Sequence, residues 1–185
     1  VDRTFGRQSS FFGNGCVAHV SMAHPVAPLL QARIAEAAAA EDIAFHKGGT
    51  YVCMEGPQFS SLAESLTYKA AGYDVIGMTA CPEVKLAREA EICYATIAMV
   101  TDFDCWHPEH DDVDVAQIIK IVHDNAAKAS RLLARLLKDM PAERAACPVG
   151  SDRALDTALI TAPEARDPKL LKKLDAIIAR VNAAA

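Results

Sequence analysis

An excess of positive charge is missing from this chain: 19 lysines and arginines face 24 acids, for a net charge of −5. Without a basic face there is nothing to neutralise a polyanionic backbone, so nucleic acid is set aside as a partner. Long apolar runs are missing as well. None reaches the roughly 20 residues of a membrane-spanning helix, and the opening residues do not read as a signal peptide. No C-x-x-C pair occurs among Cys16, Cys53, Cys81, Cys93, Cys105 and Cys147. Several of these lie in apolar runs, where a thiol behaves as a small hydrophobe. The expectation is a reducing, cytoplasmic setting without a membrane. Gly48-Gly49 and Gly13-Asn14-Gly15 match neither P-loop nor dinucleotide-binding spacing and read as turns. There are no internal repeats, and no Ser-His-Asp or Cys-His arrangement stands out by order or spacing.

What remains is ordinary for a globular chain, with 51% hydrophobic and 23% charged residues. Its 185 residues suffice for one domain with a substantial core and are short for two, so a single domain over residues 1–185 is expected. Val1 is not an initiator Met, and the polar stretch Val1 to Ser10 already reads as an exposed connection within a domain. An absent N-terminal part is therefore expected.

Cys16 to Val20 is a short strand candidate carrying His19. Pro25 and Pro28 open a helix whose Leu29, Leu30, Ile34, Ala35 and Ala38 form one stripe. Ile43 to His46 and Thr50 to Met54 flank Lys47-Gly48-Gly49, a pattern for two short strands around a turn. Ser61-Leu62-Ala63-Glu64 matches a capping box, predicting a helix that stops at Gly72. Asp74 to Met78 is another strand candidate, and Pro82 opens a helix from Glu83 to Glu91. Tyr94 to Val100 is an unbroken uncharged run, predicting a strand buried on both faces. Val115, Ile118, Ile119, Val122, Ala126, Ala129, Leu133 and Leu136 recur at helical spacing. Pro141 to Ala165 reads as a linker, and Asp167-Pro168 caps a final helix. Strands alternating with helices at this spacing indicate an α/β fold.

Asp102 and Asp104 follow the predicted central strand. An extended backbone puts residues i and i+2 on one face, and ligands in open α/β sheets bind beyond the carboxyl ends of strands. The pair is either such a site or a solvated loop. Phe59, after Gly56-Pro57, is either a ring held out for a planar ligand or a core anchor. Met78 and Thr79 end a strand and present a thioether beside a hydroxyl, for packing or for contact. His107, Glu109, His110, Asp111 and Asp112 lack the spacing of a metal site, so no metal is expected. His19 alone reads as structural.

Three blocks then carry a resemblance: Glu55-Gly-Pro-Gln-Phe-Ser-Ser-Leu-Ala-Glu64, Gly77-Met-Thr-Ala-Cys-Pro-Glu-Val-Lys-Leu-Ala-Arg-Glu-Ala90 and Thr101-Asp-Phe-Asp-Cys-Trp106. In unbroken order, between Arg3 and Met140, they resemble the nucleoside phosphorylases of the trimeric purine class. Within it they are most similar to the branch acting on 5′-methylthioadenosine. The tail from Pro141 lies outside the likeness. The resemblance implies an αβα sandwich with a central mixed β-sheet, its N-terminal part absent from this chain. It implies phosphorolysis of 5′-methylthioadenosine to adenine and 5-methylthioribose 1-phosphate. No cofactor is implied, phosphate being a co-substrate. The partners implied are the nucleoside, phosphate, two further copies in a homotrimer, and a companion N-terminal segment or chain.

By the same analogy Asp102 hydrogen-bonds and protonates adenine N7, and Asp104 helps recognise the 6-amino group or holds the base contact in place. Phe59 packs on the purine, Met78 lies against the ribose and Thr79 helps hold phosphate. Val115 and Ile118 line the methylthio pocket, and His19 comes from a neighbouring subunit. Members acting on 6-oxopurines carry Asn at the Asp102 position and Glu at the Ser60 position, so both residues point to an aminopurine. Such a role requires Asp102 to be partly protonated near neutrality, which burial beside Asp104 would favour. The family's phosphate loop and an Arg-His pair belong to a first third this chain lacks. The alternatives are a purine nucleoside or methylthioinosine phosphorylase, or an inactive fragment that binds adenine nucleosides or completes an oligomer.

Overall fold

A computed structural model describes residues 1–107 and 115–183, with the side chains of residues 115–118 and 183 outside the description. The described chain divides into two compact units, Val1–Phe5 with Gln31–Met78 and Ile97–Glu143, and Gly6–Leu30 with Thr79–Thr96 and the tail from Arg144. The alternation of strands and helices places it in the α/β class.

In the first unit β1 (Asp2–Arg3), β2 (Tyr51–Met54) and β3 (Val75–Gly77) form a parallel sheet in that order. Asp2 faces Cys53, and Tyr51 faces Val75. The central strand is the buried one, Val52 and Cys53 being almost fully covered. Most of helix α1 (Pro28–Ala40) belongs here, with Ala37 and Ala38 on its buried side. So do α2 (Leu62–Ala70) and the long α4 (Val115–Lys138). The Ser61 side chain accepts from the Glu64 N–H and the Glu64 carboxylate accepts from the Ser61 N–H, the reciprocal cap the sequence pattern predicts. Gly72 ends that helix at φ +73°, a left-handed conformation.

The second unit contains α3 (Ala80–Glu89), α5 (Pro168–Lys173) and α6 (Asp175–Ala183). Its core joins Phe12 and Cys16 to Leu155, Ala158, Leu174 and Ile178. The stretch 141–165 is therefore more than a linker, since Cys147, Ser151, Leu155 and Ala158 are buried. Cys16 to Val20 makes only isolated antiparallel bridges, Ala18 facing Leu159. Asp167 caps α5 by accepting from the Lys169 N–H at 2.8 Å. The helix predicted there is two helices, parted at Leu174.

Two predicted strands are absent. Residues 43–46 carry no strand, and all but Ile43 are exposed. Gly48 and Gly49, at φ +92° and +112°, turn the chain into β2, whose hydrogen-bonded neighbours are β1 and β3 rather than 43–46. Residues 94–100 also form no strand, and Met99 and Val100 are exposed. A strand needs a neighbour for its alternating N–H and C=O groups. Here the Tyr94 carbonyl accepts from the Ala27 N–H at 2.8 Å, and the Val100 carbonyl accepts from the Asn125 side-chain amide at 2.9 Å. Apolar composition predicted burial, but no ladder among the described residues supplies it.

Candidate active site

Parallel strands end at one edge of a sheet, so Met54, closing β2, and Met78, following β3, lie at the same edge. From Met54 the chain enters the loop 55–60. Gly56 sits there at φ +73°, and a Cβ on it would lie 2.8 Å from the Met78 sulfur. Only glycine tolerates both that conformation and that approach, which seats the loop directly against Met78. The Ser60 hydroxyl meets the Met54 sulfur at 3.5 Å. Phe59 is 83% exposed, so it is not the core anchor that one reading of the sequence allowed.

The second half of the site is a 3-10 turn, Asp104–Trp106, held against α2. Ser65, the one buried residue of α2, donates its hydroxyl to Asp104 Oδ2 at 2.7 Å. One helical turn later the Lys69 ammonium lies 3.5 Å from the centre of the Trp106 ring, a cation–π contact. Positions i and i+4 share a helix face, so one side of α2 grips both ends of the turn. The Cys105 thiol contacts the Ser60 carbonyl at 3.6 Å, tying the turn to the loop. Phe103 packs edge-on to Trp106 with centroids 6.1 Å apart.

Asp104 has φ +59°, so it and Asp102 do not share one face of an extended chain as their spacing predicted. Instead Asp102 Oδ1 accepts from the Asp104 N–H at 3.0 Å, and its Oδ2 accepts from the Thr101 hydroxyl at 2.7 Å. This local side-chain-to-backbone bond competes with extended structure, as aspartates commonly do in turns. Asp102 is exposed and Asp104 half-buried, which corrects the expectation that burial surrounds Asp102. Each carboxylate oxygen accepts more than one hydrogen bond, leaving capacity for a ligand amino or ring N–H group.

The first unit thus brings Phe59, Ser60, Met78, Asp102 and Asp104 together. Thr79 stands in the second unit as the exposed N-cap position of α3, making no side-chain cap bond. His19 is also in the second unit and exposed, its N–H donating to the Ala158 carbonyl at 2.9 Å. Val115 and Ile118 begin α4, and their side chains lie outside the described structure. Glu109, His110, Asp111 and Asp112 fall outside the described residues, and no His, Cys, Asp and Glu cluster fit for a metal occurs among those described. Ser65 was missed in the sequence because a serine inside a capped helix carries no signal of what its hydroxyl will meet. An open groove of about 350 Å³ beside Arg3, Ala63, Thr67 and Tyr73 lies along α2 away from Ser65 and Lys69.

The first unit is a parallel α/β sheet beside which an aspartate-bearing turn held by α2, an exposed aromatic and a thioether are gathered, a candidate ligand-binding arrangement of the α/β class. Residues 1–140 match the family model described as the phosphorylase superfamily, and the chain belongs to that family. It is 72% identical over 181 residues to S-methyl-5′-thioadenosine phosphorylase of Bradyrhizobium diazoefficiens, covering 98% of this chain and 62% of that protein. The protein of the same name from Cereibacter sphaeroides is 61% identical, with the same coverage of both. Among solved structures, a methylthioadenosine phosphorylase from an antarctic soil metagenomic library superposes with a TM-score of 0.88 at 43% identity. It matches over 96% of this chain and 62% of that one. The Schistosoma mansoni methylthioadenosine phosphorylase in complex with adenine gives 0.76 at 31% identity, over 86% and 64% of the two chains. This chain therefore spans less than two thirds of the length of these relatives.

Proposed function

We propose that this chain carries the nucleoside-binding part of a 5′-methylthioadenosine phosphorylase, which splits its substrate with phosphate into adenine and 5-methylthioribose 1-phosphate. The observation that carries the reading is the Asp102–Asp104 turn, clamped by Ser65 beside Phe59 and Met78, in a chain 72% identical to a protein of that name.

Breaking the glycosidic bond builds positive charge on the sugar and negative charge on the base. Asp102 protonates adenine N7 as the bond lengthens, the bound purine itself covering the carboxyl that the open turn leaves exposed, and a placed proton donor typically contributes a factor of about 10²–10⁴. Asp104, fixed by Ser65, accepts from the 6-amino group, while Phe59 stacks on the purine beside Ser60. Met78 lies against the ribose, and Thr79 helps hold the phosphate. Val115 and Ile118 wall the methylthio group, where an apolar contact is worth about 1–3 kcal/mol against a hydroxyl. His19 reaches the site of a neighbouring copy in a homotrimer. The remaining phosphate contacts come from the portion of its relatives' length that this chain does not span.

The test is adenine release by the purified protein with and without phosphate. Phosphate-dependent release, faster from methylthioadenosine than from inosine, is expected. Release that ignores phosphate, or a preference for inosine, would overturn the assignment.

A further inference from the structure

The short turn that carries Asp104 has little of its own to hold it. Phe103, at its N-cap position, makes no side-chain cap bond, and the chain leaves the turn at His107 in an extended conformation. Asp104 stands in the left-handed region at φ +59°, which a non-glycine residue keeps only where its surroundings impose it. The Asp104 N–H is also the donor to Asp102 Oδ1 at 3.0 Å. A small rotation of the turn therefore redirects both acids together.

Ser65 fixes the near end of the turn through Asp104 Oδ2. The far end is the half-buried Trp106, whose ring packs edge-on to Phe103 and tilted against His107, with centroids 6.1 and 5.3 Å apart. The Lys69 ammonium lies over that ring, 3.5 Å from its centre. A cation is drawn to the negative face of an aromatic ring, and indole is the strongest of the aromatic partners. Lys69 belongs to the last turn of α2, so the contact ties Trp106 to a helix whose start is fixed by its own cap.

From this juxtaposition we propose that Lys69 is a positioning residue for the base. Through the Trp106 ring it holds the 104–106 turn in the conformation that presents Asp104 and Asp102 to a purine. The inference rests on the assignment of those two acids to adenine. A cation near a helix C-terminus also complements the dipole of α2, but that effect does not depend on which residue stands at position 106. A contact that acts through the indole does.

Trp106 is the chain's single tryptophan, so its emission reports on the turn alone. In the ligand-free protein, Lys69→Ala should uncover the ring face and raise the acrylamide quenching constant. Lys69→Arg, which keeps a cation for the ring, should leave that constant near the wild-type value. In adenine release from methylthioadenosine with phosphate present, Lys69→Ala should lower kcat/KM by about 2–5-fold, as expected for one exposed cation–π contact. With Trp106→Leu already in place, Lys69→Ala should change kcat/KM no further. An unchanged quenching constant in Lys69→Ala, a wild-type kcat/KM, or an equal fall in the Trp106→Leu background would each overturn the proposal. The quenching measurement needs no substrate. It decides the clamp even where the wild type releases no adenine, a result that counts against the assigned reaction alone.

Discussion

At the scale of single residues, the site rests on Asp102, Asp104 and the buried hydroxyl between Asp104 and α2. Asp102→Asn keeps the size and the acceptor oxygen but cannot deliver a proton to the base. Turnover of methylthioadenosine is expected to fall by about 10²–10⁴-fold, with the circular dichroism spectrum unchanged. An unaltered kcat would remove Asp102 from the proton path. Ser65→Ala acts one step back, releasing Asp104 Oδ2 from its 2.7 Å partner. A hydrogen bond to a charged group is worth about 1.5–3 kcal/mol, so kcat/KM should drop roughly 10–100-fold as Asp104 loses its fixed direction. A value within about twofold of wild type would mean that the turn positions Asp104 without Ser65.

Among the elements, α2 is the one whose local sequence and tertiary role coincide. Its reciprocal cap sets where the helix starts, and the start sets the phase that places Ser65 and Lys69 on the face toward the 104–106 turn. Ser61→Ala should cost about 1 kcal/mol of stability; an unchanged urea midpoint would show that packing alone defines the helix end. Helix α6 answers to a different interaction. Arg180 clasps both carboxylate oxygens of Glu91, at 2.6 and 2.5 Å. Burial raises the Glu91 carboxyl, but Arg180 and the Leu155 N–H outweigh it and hold the group below its ordinary value of 4.5. As pH falls, the unfolded chain takes up this proton before the folded one does, so stability rises with pH in that window. The contribution is complete above the ordinary value and disappears as pH drops through the folded one. Urea midpoints measured from near neutrality down to pH ~3.5 should therefore fall more steeply in the wild type than in Glu91→Gln. Parallel curves would show that Glu91 is not coupled to folding.

For the whole molecule, Val100 and Phe103 on 97–103 and Ile119 and Val122 on α4 stand exposed. The proposed homotrimer makes a direct prediction: native mass spectrometry should find three copies of the assembled protein. A monomer that turns over the substrate would exclude any role for a neighbour's His19. Much of this was legible along the chain. The capping box, the Pro28 and Asp167 helix starts, the period of α4 and the strands at 51–54 and 75–77 depend on contacts only a few residues apart, which sequence encodes directly. The resemblance carried by 55–64, 77–90 and 101–106 pointed to the family because those blocks are read as residues in order, without reference to the fold. Other features depended on partners distant in sequence. Residues 94–100 read as a buried strand, yet hydropathy cannot say whether a neighbouring strand is there to pair with them. Asp102 and Asp104 read as one face of extended chain, until an Asp102 side-chain bond and the pull of Ser65, 39 residues away, turned Asp104 into the left-handed region. Short-range spacing determined where the helices start and what chemistry the loops bring. Only the tertiary structure decided which way the acids point, because that direction is set by hydrogen bonds to residues the local pattern does not contain.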